Sequence, residues 1–168
     1  YLSLTVPKPK NEYEGKSADE LYQRGQEYYS GKETGEPNYE KAFELFSLAA
    51  EKGNADAMYN LGNMYRCGNG VAVDYYCAME WYQKAADKGN IQSMYEIGDM
   101  YYWGCGVARN CYRAMDYFLA AAEKGNPAAM CDIGIMYNYG QGVPRDYARA
   151  FEWYKKAAEN GNIRAMDY

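Results

Sequence analysis

No histidine occurs in this 168-residue chain, and with it go the commonest general base and the commonest metal ligand. Five cysteines remain: Cys67, Cys77, Cys105, Cys111 and Cys131. None pairs as C-x-x-C, so the spacing of a structural zinc site is missing. The odd number leaves at least one thiol without a partner in the chain. Cys105 and Cys111 share one loop and could pair, as could Cys67 and Cys77. Free thiols fit the irregular spacing better, and they favour a reducing, cytoplasmic compartment. There is no S-x-x-K serine and no G-x-S-x-G elbow. Glu14-Gly15-Lys16-Ser17 resembles the end of a phosphate-binding loop, but the first glycine of such a loop falls on Lys10. Ser17 reads instead as a helix N-cap, with Glu20 completing a capping box. The sequence therefore points to no catalytic constellation, no cofactor and no metal.

The net charge of -5 argues against a nucleic-acid partner, whose phosphates need a surplus of Lys and Arg, and against direct binding to a bare membrane surface. No apolar run approaches the ~20 residues that span a bilayer. What the chain has in quantity is tyrosine, 21 copies, which combines large apolar area with a hydroxyl handle and suits both repeat cores and binding surfaces.

Those tyrosines sit in a repeat. Gly53, Gly89, Gly125 and Gly161 are 36 residues apart, each followed by asparagine. Met58, Met94, Met130 and Met166 align, as do Gly62, Gly98 and Gly134, then Tyr65, Tyr101 and Tyr137. The loops Gly68-Asn69-Gly70, Gly104-Cys105-Gly106 and Gly140-Gln141-Gly142 align, each followed by valine. Ala78, Ala114 and Ala150 align, as do Ala85-Ala86, Ala121-Ala122 and Ala157-Ala158. Three gapless units result, 54–89, 90–125 and 126–161. A divergent first copy at 17–53 carries Gly25, Tyr28, Gly31, Tyr39, Ala42 and Ala49-Ala50 at the same places.

Each unit reads as two helices. Met58, Leu61, Gly62 and Tyr65 follow the helical period, and Ala78, Trp81, Tyr82 and Ala85 repeat it. Asn126 followed by Pro127 marks one helix start. Asp74, Asn110 and Asp146 mark the starts of the second helices, and Gly53 and its copies their ends. A glycine inside every first helix costs ~1 kcal/mol of propensity, so its recurrence implies a close approach of the two helices. One such hairpin cannot bury its own apolar face, and stacking of neighbours supplies the core.

The pattern A-M-x-x-L/I-G-x-M-Y-x-x-G-x-G-V, continued by A-x-x-(W/Y)-(Y/F)-x-x-A-A, resembles the Sel-1-like repeat, a relative of the tetratricopeptide repeat. The resemblance spans about 17–168. It implies an all-α, right-handed α/α superhelical solenoid of about four helix-loop-helix repeats, whose members act as adaptors. The first copy departs from the pattern: Arg24 replaces the apolar residue before the glycine, and the Gly-x-Gly-Val loop is lost, as fits a capping unit.

In related arrays the first helix of each unit lines the concave face. Here the stripe left free by the core positions is Asp19, Tyr22, Gln26 and Tyr29 in unit one, and Asp56, Tyr59, Asn63 and Arg66 in unit two. In unit three it is Gln92, Tyr95, Asp99, Tyr102 and Trp103. In unit four it is Ala128, Cys131, Ile135, Asn138 and Tyr139. Tyr22, Tyr59 and Tyr95 form a ladder, and Asn63 and Asp99 suit a peptide backbone or a cation. Aromatics interleaved with amides and acids fit an extended peptide or a partner helix. The same tyrosines would also serve to cover the edge of the core.

Two other readings follow. Residues 1–16 look like a linker, and 162–168 restart a fifth unit, so the chain could be an assembly element of a longer protein that self-associates through its C-terminal end face. The resemblance also brings in cysteine-rich relatives, some stapled by regularly placed disulfides and some linked to β-lactam binding or hydrolysis. The cysteines here do not recur at equivalent repeat positions, and no catalytic residues are shared by the family.

Overall fold

The structure is a computed structural model that describes residues 12–32 and 35–162. The fifth-unit start beyond 162 and most of the 1–16 extension lie outside the described residues. Among those described there are eight helices of 13 residues each and no strand. In chain order they are α1 (Ala18–Ser30), α2 (Tyr39–Glu51), α3 (Ala55–Cys67), α4 (Tyr75–Asp87), α5 (Ile91–Trp103), α6 (Cys111–Glu123), α7 (Pro127–Tyr139) and α8 (Tyr147–Glu159). Each packs against the next, giving an all-α repeat solenoid of four hairpins. No helix is long and apolar enough to cross a membrane among the described residues.

The caps follow the residues. Ser17 accepts from the Glu20 backbone while the Glu20 side chain accepts from the Ser17 backbone, a reciprocal box. Asp74, Asn110 and Asp146 each accept from the backbone N–H three residues on, at the starts of α4, α6 and α8. Asn54, Asn90 and Asn126 cap α3, α5 and α7 in the same way. Their amide nitrogens do a second job: Asn54 donates to Asp19 at 2.9 Å, Asn90 to Asp56 at 2.8 Å and Asn126 to Gln92 at 3.2 Å. Each of these partners lies in the first turn of the preceding unit's first helix. Aspartate would cap as well, but its carboxylate only accepts, whereas the asparagine amide offers both an acceptor for its own helix and a donor for the unit before it.

The glycine inside each first helix is where a ring lies flat on the backbone. A β-carbon at Gly25, Gly62, Gly98 or Gly134 would sit 2.5–2.7 Å from the ring of Phe46, Tyr82, Phe118 or Tyr154 respectively. Those four rings, themselves 36 residues apart, form the centre of each hairpin, flanked by buried Leu21, Leu45, Leu61, Met64, Ile97, Met100, Ile133 and Met136. The buried alanine pairs of the second helices let the next unit approach closely. In the first unit Arg24 pairs with Glu27 at 2.9 Å and lies over the Tyr28 ring. A charged residue is tolerated there because no unit precedes it among the described residues.

Candidate functional site

The residues of the stripe lie on α1, α3, α5 and α7, the first helix of each unit. Tyr22, Tyr59 and Tyr95 are half-buried. Each packs on the hairpin ring of its own unit, with centroids 5.8 Å apart for Tyr22–Phe46, 6.0 Å for Tyr59–Tyr82 and 5.7 Å for Tyr95–Phe118. The ladder therefore covers the core edge with one part of each ring and leaves the rest accessible. Cys131, which takes the ladder position in unit four, is buried at 5% exposure. Its place in the stripe is corrected: a small side chain there drops into the core beside Tyr154.

The polar members are held in different ways. Tyr82 donates from its hydroxyl to Asn63 Oδ1 at 2.7 Å, and the Asn63 amide is also bonded to the Tyr59 hydroxyl. Asn63 thus ties a core ring to a ladder ring. Gln26 donates to the Tyr22 hydroxyl at 2.8 Å. Tyr29 accepts from Asn69 in the next unit's loop at 3.0 Å, and Tyr102 donates to Gln141 in the loop after it. Arg66 crosses from unit two to Glu96 of unit three at 3.4 Å. Asn138 is half-buried, and Tyr139 is exposed.

Five stripe residues converge. Tyr95, Tyr102 and Trp103 wall a cleft of about 290 Å³ with Phe118 at its floor. Asp99 and Asp132 bring carboxylates to it, and Ile135 closes the side toward unit four. The Trp103 indole N–H donates to Asp99, while Trp103 itself is 66% exposed at the rim. The Tyr95 hydroxyl bonds to Asp132, and burial followed by that carboxylate's charge raises its pKa. Burial pushes the carboxyls of Asp99 and Glu96 above the usual carboxylate range, against the opposing pull of Arg66. Asp132, Glu96 and Phe118 were absent from the stripe read from the sequence. The signal for the two acids was their shared repeat position, one residue past the ladder, from which each reaches back into the preceding unit.

What the cleft presents is aromatic faces and carboxylates. None of the five cysteines is joined to another in a disulfide, so neither loop pairing is formed. Among the described residues no three acidic or cysteine side chains gather closely enough to hold a metal ion.

An all-α solenoid of four hairpins, each built on a glycine-against-ring contact, defines a helical repeat protein. The Sel1 repeat profile matches residues 21–54, 55–90, 91–126 and 127–162, and the chain belongs to the Sel1 repeat family. It is similar to a protective antigen of uropathogenic Escherichia coli, at 40% identity and a TM-score of 0.84 over 89% of this chain and 32% of that one. It is also similar to a Sel1 repeat protein from Oxalobacter formigenes, at 35% identity and a TM-score of 0.82 over 89% of this chain and 59% of that one. Cysteine rich protein B of Helicobacter pylori is 26% identical, with a TM-score of 0.56 over 71% of this chain and 98% of that one. The chain thus spans about a third and three-fifths of the first two relatives' lengths. No curated protein matches it at a significant level. Sel1 repeat proteins are generally protein-interaction scaffolds.

Proposed function

We propose that this chain binds an extended protein or peptide segment along the concave face formed by α1, α3, α5 and α7. Tyr22, Tyr59, Tyr95, Tyr102 and Trp103 act as anchors, and Arg66 and Asp99 as polar contacts. Asn63, held between two tyrosines, sets the ladder's geometry. The observation that carries the reading is the cleft on this face, where aromatic walls and carboxylates are gathered in one place. A site of mixed aromatic and polar lining is what peptide recognition uses.

The test is selection of binders from a displayed library of random peptides, followed by affinity measurement on variants. Trp103→Ala removes a rim side chain at little structural cost and should weaken the selected peptides by about tenfold or more, as truncation of a hot-spot tryptophan does. Tyr112→Ala, on α6 and 74% exposed, should leave affinity unchanged. Equal effects of the two, or binders that respond only to Tyr112, would place recognition elsewhere.

Self-association through the end of unit four has one observation in its favour. Phe151 on α8 is 64% exposed, whereas Met115, 36 residues earlier, is 6% exposed in the cluster it shares with α7. On this reading light scattering shows a dimer that Phe151→Glu converts to monomer; a strictly monomeric parent chain refutes it.

A further inference from the structure

The cleft lies where the repeat changes its pairing across the seam. Glu96 and Asp132 occupy the same repeat position, 36 residues apart, and both reach back toward the preceding unit. At the seam between units two and three, the residue 30 positions before Glu96 is Arg66, and its guanidinium pairs with Glu96 at 3.4 Å. At the seam between units three and four, the residue 30 positions before Asp132 is Tyr102. The arginine of one seam is thus replaced at the next by an aromatic wall. It is at this second seam that the cleft of about 290 Å³ opens, with Asp132 and Asp99 at its lining. Of the chain's own cations, Arg66 acts on Asp99 through its charge, and Arg109, which donates to the Tyr102 carbonyl oxygen at 2.9 Å, has its guanidinium 5.8 Å from the Tyr102 ring centroid.

We propose that this cleft takes the side chain of an arginine from the bound segment, its guanidinium against Asp99 and Asp132 and its planar face against the aromatic walls. Charge complementarity and ring geometry both select arginine. Its fork matches carboxylates, and it stacks on aromatic faces in a way an ammonium does not. Tyr95, Tyr102 and Trp103 supply those faces, and a cation within ~6 Å of such a ring is attracted by its quadrupole. The half-buried carboxylate of Asp99 opposes folding when ionised at neutral pH, because its folded-state pKa is raised. An incoming guanidinium offsets that penalty.

The proposal rests on the concave-face reading and is tested separately from it. N-acetyl-arginine amide, N-acetyl-lysine amide and the uncharged isostere N-acetyl-citrulline amide are titrated into the isotope-labelled chain by NMR. The arginine probe should shift the Trp103 indole N–H and Phe118 ring signals saturably. The citrulline probe should bind about tenfold more weakly or worse, as loss of a charged hydrogen-bonded partner predicts, with lysine between them. Asp99→Asn keeps an acceptor for Trp103 but loses the charge. It should weaken the arginine probe by a similar factor while leaving Tm at pH 7 unchanged or higher. Asp132→Asn is the second variant should the first lose its fold. Citrulline binding as tightly as arginine would overturn the proposal. So would unchanged arginine binding in both folded variants, or an Asp99→Asn Tm that falls, which would make Asp99 a structural residue. Displayed peptides that depend on Trp103 but show no arginine enrichment and ignore Asp99→Asn would leave the concave-face reading standing and refute this one. Arginine-probe binding with no selectable peptide would do the reverse.

Discussion

Gly62→Ala is expected to destabilise the chain by about 2 kcal/mol, although alanine is the better helix former by ~1 kcal/mol. Gly62 lies in the middle of α3, and a β-carbon added to it would stand 2.5 Å from both Cδ1 and Cε1 of Tyr82. That ring cannot swing aside. It is fully buried, its hydroxyl is fixed to Asn63 at 2.7 Å, and Tyr59 leans against it. Relief must come from separating α3 and α4, and overpacking of this kind costs ~1–3 kcal/mol or more. The clash outweighs the propensity gain. For a domain of this size each kcal/mol moves Tm by ~2–4 °C, so thermal unfolding should fall by about 4–8 °C. Hydrogen exchange should rise first in α3 and α4, since a repeat array yields locally. An equal or higher Tm would mean that the ring does not lie on the glycine as described.

That contact marks the boundary of what the residues could tell in advance. The period of 36, the helix starts at Ser17, Asn126 and Asp74, and the need for a close approach at the helix A glycine were all legible, because each depends on local chemistry or on self-comparison. The partner of the glycine was not named. Trp81 and Tyr82 both fell in the apolar half of their helix, and which one faces Gly62 depends on helix rotation that periodicity leaves open. The same division runs through the candidate site. Tyr95, Asp99, Tyr102 and Trp103 share one face of α5, so helical spacing alone grouped them. Phe118 comes from α6 and Asp132 from α7, and neither can be grouped with them without knowing how the units stack. Asn63 shows a third limit: it reads as a polar contact for a peptide backbone or a cation, but its amide is engaged by Tyr59 and Tyr82.

The stacking that sequence spacing left open is set in part at the loop glycines. Gly70, Gly106 and Gly142 each close their unit's interhelix loop with φ of 69–72°. Each lies directly on the first residue of the preceding unit's second helix, Tyr39, Tyr75 or Cys111. In the third unit a β-carbon on Gly106 would be 2.5 Å from Tyr75 Cβ, 2.9 Å from its carbonyl carbon and 3.0 Å from its carbonyl oxygen. Backbone there cannot retreat without breaking the Asp74 cap of α4. Gly106→Ala therefore carries two penalties. The left-handed backbone costs a β-carbon ~1–2 kcal/mol, and the seam must open to admit the methyl group. Gly89 separates the two, because its φ is 87° and nothing lies within 4 Å of an added β-carbon. Gly89→Ala should cost ~1 kcal/mol from strain alone, while Gly106→Ala should cost about 3 kcal/mol, the excess reflecting overpacking of the seam. Because stability in such an array is a sum of unit and interface contributions, weakening only the junction of units two and three should also change the shape of the transition. Urea unfolding of Gly106→Ala should broaden or split, with a lower apparent m, where Gly89→Ala shifts the midpoint and keeps the slope. Identical curves for the two variants would show that left-handed strain accounts for the whole effect and that the loop-to-helix contact does not couple the units.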